Sequence, residues 1–387
     1  MPPLHQAPTV RWADVPSPCY VLEEKRLREN LARLAHVQEA AGCQIICALK
    51  GYAMWSTFPI LREYLPGTTA SSLYEARLAH EEFGGEVHAY ATVYFEDEFE
   101  ELTRYCGHIT FNSLSQWERF KDRFPAHCSA GLRINPEYSE VDVDLYNPTL
   151  PGTRFGITAD ALAKYGLPEG IEGLHFHTLC EQNADALERT LAVVEERFAP
   201  WLHGLKWFNM GGGHHITRED YEIDRLIARL RRFSEKYQVQ VILEPGEAIG
   251  LQTGYLVSRV EDILDSGGIL VAMLDVSFTA HMPDCLEMPY KPRILGASNA
   301  QPDSQYVYRM GGTTCLSGDF MGMGDYAFAQ PLQVGDLIVF DDMIHYTMVK
   351  TSNFNGVKHP SIGIWTTENK FELVKSFGYQ MYRDRLS

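Results

Sequence analysis

Between residues 44 and 244 the chain alternates eight short apolar runs with stretches of helical periodicity, and this alternation restricts the fold more than any other feature. The strand-like runs are 44–49, 67–71, 87–92, 108–112, 129–135, 171–177, 205–210 and 239–244. Helical spacing occupies 57–64, 73–83, 96–105, 114–124, 184–198 and 220–237, after an earlier helix carrying Leu27, Leu31, Leu34 and Ala35. In the last of these, Ile223, Leu226, Ile227, Leu230 and Phe233 share one face. Eight parallel strands alternating with helices are the content of an α/β fold of the (β/α)8 TIM-like barrel type, with its chemistry at the C-terminal strand ends. The irregular insertion 136–156 follows the fifth strand and falls on that rim, where long loops shape pockets. After about residue 250 short β runs (255–261, 269–275, 337–340, 346–350, 361–366) alternate with Gly, Pro and Asn turns. The expected organisation is a barrel over 25–250, with 1–24 and 251–387 forming a β-rich domain.

Four polar features end strands on one rim of such a barrel. Lys50 closes the run Ile45-Ile46-Cys47-Ala48-Leu49, just before Gly51. Desolvation at such a place lowers a lysine's pKa and suits it to form a Schiff base, although a lone strand-end lysine also serves as a solvated cap. His177 ends the sixth strand, and its ring is placed to stack on a flat cofactor. His175 is assigned to the opposite face and to a structural role. Gly211, Gly212 and Gly213 follow the seventh strand, ahead of a helix expected to start near Arg218, where backbone N–H groups cradle a phosphate. Glu244 ends the eighth strand and precedes Pro245-Gly246. A lysine, a phosphate cradle, a stacking ring and a carboxylate together meet the needs of pyridoxal 5′-phosphate.

Composition removes other classes. A net charge of −17 argues against nucleic acid and is compatible with cationic small molecules. The chain has no apolar run long enough for a membrane helix, and its N-terminus lacks a signal peptide's basic and apolar regions. Eight cysteines are scattered without CxxC pairs, so no metal site and no disulfide framework is expected and a cytoplasmic location is the default.

From Pro18-Cys19-Tyr20-Val21 to Ser352-Asn353-Phe354-Asn355-Gly356 the chain resembles the fold-type III pyridoxal-phosphate decarboxylases, the group of ornithine and diaminopimelate decarboxylases. Ala48-Leu49-Lys50 resembles the Schiff-base segment, Glu244-Pro245-Gly246 the turn that binds the pyridine nitrogen, and the Gly211 triplet the phosphate loop. The stretch 311–319, containing Cys315 and Asp319, resembles the family's cysteine motif, and Tyr346 matches its phosphate-binding tyrosine. The resemblance implies an alanine racemase-like barrel with a C-terminal β-rich domain. It implies Cys315 as proton donor, and a homodimer whose sites are built from both chains. Three departures stand out: Leu316 follows the cysteine where diaminopimelate decarboxylases are acidic, Glu247 replaces a phosphate-binding arginine, and Cys180 replaces a serine. With His177-Thr178-Leu179-Cys180-Glu181, Gly213-His214-His215 and Asp144-Leu145-Tyr146, these departures are most similar to the carboxynorspermidine decarboxylase branch, which acts on carboxynorspermidine and carboxyspermidine in polyamine biosynthesis. Asp142, Asp144, Glu181, Glu247 and Asp319 are then candidates to meet a carboxylated polyamine's amines. The competing readings are diaminopimelate or another basic amino acid as substrate, a racemase, and a non-catalytic binding homologue.

Overall fold

In the computed structural model of the chain the described residues are 7–141 and 143–387. They form two compact units, Asn30–Ile249 and the residues up to Glu29 together with Gly250–Ser387.

The unit Asn30–Ile249 is a ring of parallel strands. In spatial order these are Gln44–Ile45, Gln240–Leu243, Trp207–Asn209, Ile171–His175, Ser129–Arg133, His108–Phe111, Glu86–Tyr90, Gly67–Ala70 and Cys47–Ala48. Every neighbouring pair is parallel. The expected first strand is thus broken at Ile46 into two pieces. The break lets one run serve both neighbours: Ile46 N–H donates to Leu243 O at 3.0 Å, and Leu49 N–H donates to Thr69 O at 3.1 Å. Backbone donors at strand edges are thereby satisfied and the ring closes.

Its interior is filled by the indole of Trp207, packed with Ile46 and Ile242. A Cβ on Gly131 or on Gly173 would lie 2.1 Å from that ring, so these strands carry glycine where the indole crosses them. Trp207 Nε1–H donates to Ser129 Oγ at 2.8 Å, which satisfies its buried polar atom. Outside, Ile223–Tyr237 buries Leu226, Ile227, Leu230 and Phe233, the face expected from its periodicity. It begins at Ile223 rather than near Arg218, and the residues between the glycine triplet and Ile223 run as turns. A helix at Ala159–Tyr165, capped by Thr158 and ended by Gly166 in a positive-φ conformation, follows the insertion and was not anticipated.

The other unit is a mixed nine-stranded sheet. Cys19–Glu23 lies inside it, antiparallel to Gly254–Ser266 and parallel to Ser361–Trp365. Cys19, Val21, Tyr255, Val257, Val339 and Trp365 form its core. Glu23 is buried beside them and is held by Arg26 Nε at 2.6 Å and Tyr255 Oη at 2.9 Å, as a buried carboxylate requires. The strands Ala297–Asn299, Tyr306–Gly311, Tyr326–Phe328 and Phe371–Lys375 were not anticipated. One expectation fails outright: the run 346–350 is not a strand. Tyr346–Val349 is a helical turn, closed by Lys350 N–H donating to Tyr346 O at 3.0 Å. A run this short does not separate the two periodicities. Among the described residues no helix is long and apolar enough to cross a membrane.

Candidate active site

Lys50 leaves the end of Cys47–Ala48 and turns against the Pro245-Gly246 segment. A Cβ on Gly51 would lie 2.9 Å from Gly246 Cα, so only glycine permits that approach. Lys50 Nζ is 3.3 Å from His177 Nε2, while Gly212 N–H donates to His177 Nδ1 at 2.9 Å. An imidazole that accepts at Nδ1 carries its single proton on Nε2, facing Lys50, an arrangement that disfavours the ammonium form of the lysine. The electrostatics agree. Although Lys50 is accessible from the barrel mouth, burial of its surroundings and the neighbouring Arg133 hold its ammonium pKa below the ordinary lysine value. Burial and Lys50 hold His177 well below an ordinary histidine.

Arg133 is a neighbour of His177 that the sequence reading does not single out. It ends Ser129–Arg133, is 4 % exposed, and lies between the rings of Tyr90 and Phe155 at 4.6 and 4.3 Å. Its Nη2 donates to His177 O at 3.1 Å. Its signal in the sequence is a lone cation within the apolar run 129–135.

Glu244 is fixed from two sides. Asn209 Nδ2 donates to its Oε1 at 2.8 Å, and His175 Nε2 lies 3.4 Å from its Oε2. Burial opposes the charge, but these two partners hold the carboxyl below the usual range, so it is ionised. His175 is therefore not turned away. Residues two apart on a strand share a face, and His175 points at Glu244 while His177 lies beyond the strand's end. Asn209 also accepts from Gly211 N–H at 2.9 Å, tying the triplet to the carboxylate. Gly211 and Gly213 have φ of +67° and +82°, and a Cβ on Gly213 would meet Leu179 O at 2.0 Å. Two of the triplet's donors thus fix His177 and Asn209, and no helix N-terminus near Arg218 adds to the loop.

The remaining candidates divide between the units. In the sheet unit Cys315 is exposed, with its N–H donating to Asn355 Oδ1 at 2.8 Å. Asp319 is a correction: it is buried and engaged by five donors. Its Oδ1 accepts from Ser277 Oγ, Phe278 N and Thr279 N, and its Oδ2 from Thr314 N and Thr314 Oγ1. It shapes the loop that presents Cys315 and has no capacity left for a substrate amine. Tyr346 opens the helical turn and is half-buried. In the barrel unit Asp144 is exposed on the insertion, while Glu181 and Glu247 gather around His215. Asp142 lies outside the described residues.

Residues 19–344 match the family model described as pyridoxal-dependent decarboxylase, C-terminal sheet domain. The chain belongs to the pyridoxal-dependent decarboxylases. It is 51% identical over 378 residues to the carboxyaminopropylagmatine decarboxylase of Synechocystis sp., covering 97% of each chain. To the carboxynorspermidine/carboxyspermidine decarboxylase of Campylobacter jejuni it is 43% identical, covering 95% of this chain and 98% of that one. The crystal structure of carboxynorspermidine decarboxylase complexed with norspermidine, from Campylobacter jejuni, superimposes with a TM-score of 0.89 at 42% identity, over 96% of this chain and 100% of that one. A pyridoxal-dependent decarboxylase takes pyridoxal 5′-phosphate as cofactor, and the barrel mouth fits it. A lysine whose ammonium form is disfavoured, a glycine loop in which any Cβ would collide, and an ionised carboxylate are all present.

Proposed function

We propose that this decarboxylase removes CO₂ from carboxylated linear polyamines, carboxynorspermidine and carboxyspermidine, as a step of polyamine biosynthesis. The observation that carries the proposal is the pairing of Lys50 Nζ with His177 Nε2 at 3.3 Å beside the Glu244–Asn209–Gly211 chain of hydrogen bonds. When bound, pyridoxal phosphate supplies an aldehyde for an amine and a ring that takes up the electron pair left by CO₂. Lys50 holds that aldehyde as a nucleophile whose ammonium form is disfavoured. Glu244 keeps a proton on the pyridine nitrogen, and His175 and Asn209 hold the carboxylate in place to do so. His177 stacks on the ring, with Arg133 fixing its backbone carbonyl. Gly213 and Tyr346 bind phosphate.

Cys315, supplied by a second copy of the chain, delivers the proton that replaces the carboxylate at the substrate's α-carbon. A homodimer with shared sites follows. Asp144, exposed on the insertion, meets an amine of the substrate. Eight free cysteines suit a reduced cytoplasm.

A second reading, carboxyaminopropylagmatine, is favoured by the relative at 51% identity. It keeps the chemistry and changes the distal group from an amine to a guanidinium. Measuring CO₂ release from the three carboxylated polyamines and from diaminopimelate decides among them. The proposal expects the best polyamine to exceed diaminopimelate by about 100-fold or more in kcat/KM. Preference for diaminopimelate overturns it, and preference for carboxyaminopropylagmatine selects the second reading.

A further inference from the structure

Beside the glycine loop three side chains converge for which the reaction above has no use. Glu181, His215 and Glu247 each offer one donor atom, all within 4.8 Å of one another. They come from the loop after the sixth strand, the turn after the triplet, and the start of the helical turn Glu247–Gly250. Backbone contacts hold the segments together: Gln182 N–H donates to Gly213 O at 3.1 Å, and His215 N–H donates to Gln182 O at 3.4 Å. Thr217 Oγ1 donates to Ala248 O at 2.7 Å.

His215 points to a ligand. It is 5 % exposed, and among the described residues neither of its ring nitrogens makes a hydrogen bond. Its Nε2 instead faces Glu247 Oε2 at 3.4 Å. A buried imidazole without hydrogen bonds is costly, and two carboxylates gathered around it repel each other. A dication relieves both, taking the imidazole nitrogen and the two carboxylate oxygens as ligands. One nitrogen with two oxygens suits a first-row transition dication rather than magnesium or calcium, and leaves a coordination position open.

We propose that Glu181, His215 and Glu247 bind a divalent zinc or manganese ion at the edge of the glycine loop. The site stands on these three side chains. Its role, offsetting the charge of two carboxylates next to a phosphate cradle, rests on the functional reading above. No short-range motif announces it, because the ligands are 34 and 32 residues apart along the chain.

The test strips the purified protein with chelator and equilibrates it with Zn²⁺, Mn²⁺ or Mg²⁺. Retained metal is then counted by mass spectrometry, and pyridoxal phosphate is counted separately. About one equivalent of zinc or manganese per chain is expected, with magnesium not retained. His215→Gln, Glu247→Gln and the exposed-site variant Glu181→Gln should each lower retention by about tenfold or more. His108→Gln serves as a control in another His–Glu group, Glu86, His88 and His108, and should leave retention unchanged. No retention by the wild type, retention by the Glu181→Gln and His215→Gln variants undiminished from the wild type, or loss in the His108→Gln variant overturns the site. Cofactor bound without metal sinks the metal site alone, whereas metal bound without cofactor sinks the functional reading alone.

Discussion

His177 accepts a backbone hydrogen bond at Nδ1, and that contact turns its Nε2 proton toward Lys50. With the imidazole proton on Nε2, the ammonium form of Lys50 is disfavoured relative to that of an ordinary lysine. The consequence is measurable in the cofactor-free protein. Because the folded pKa of Lys50 lies below the ordinary value of 10.5, the unfolded chain binds more protons in the window between the two. Stability therefore rises with pH through that window. Urea denaturation from neutral to alkaline pH should show this rise in the wild type and a smaller one in Lys50→Met; identical pH slopes would contradict the assignment. Asn209→Ala removes the donor on Glu244 and the acceptor for Gly211 N–H. Losing a hydrogen bond to a charged group costs roughly 1.5–3 kcal/mol, so kcat/KM should fall about 10- to 100-fold. Weaker cofactor retention should accompany the fall, whereas unchanged kinetics would leave Asn209 without a role.

At the level of elements, the barrel could be read because parallel strands buried on both faces are continuous apolar runs and the helices between them keep their own period. The break at Ile46 could not. It arises from ring closure, which makes one run pair with strands at opposite ends of the order, and local sequence carries no trace of that. Asn209 and Arg133 were missed for a related reason. Each is an unremarkable polar residue at a strand end until the ring brings Glu244 and His177 beside it. Asp319 differs in the other direction: an acidic residue in a recognised motif is a candidate from sequence, but three donors from Ser277, Phe278 and Thr279 and two from Thr314 engage it. Lys50, His177, the triplet and Glu244 were legible because each ends a strand, and the barrel puts all such ends on one rim. Gly173 shows how tightly packing determines the interior. Gly173→Ala drives a methyl to 2.1 Å from the ring of Trp207, which is buried and hydrogen-bonded to Ser129 Oγ. It should destabilise the protein by about 1–3 kcal/mol or more in urea denaturation. Gly204→Ala, at a site where a Cβ meets nothing, tests the separate cost of a positive φ.

For the molecule as a whole, the proposed nucleophile and proton donor belong to different units, Lys50 to the barrel and Cys315 to the sheet. If each site takes its cysteine from a second copy, Lys50→Ala and Cys315→Ala chains are both inactive alone. Mixed and allowed to exchange, they form hybrids in which one of two sites is intact. Random exchange then restores about a quarter of wild-type activity, in line with a two-fold dimer. No recovery on mixing, with exchange verified by mass, would place both groups in one chain. Attachment of the cofactor to Lys50 is tested by borohydride reduction of the holoenzyme followed by peptide mass mapping. A pyridoxyl group is expected on the ε-amine of Lys50, with no label taken up by Lys50→Ala. A label on another lysine, or none on a protein that still releases CO₂, would contradict it.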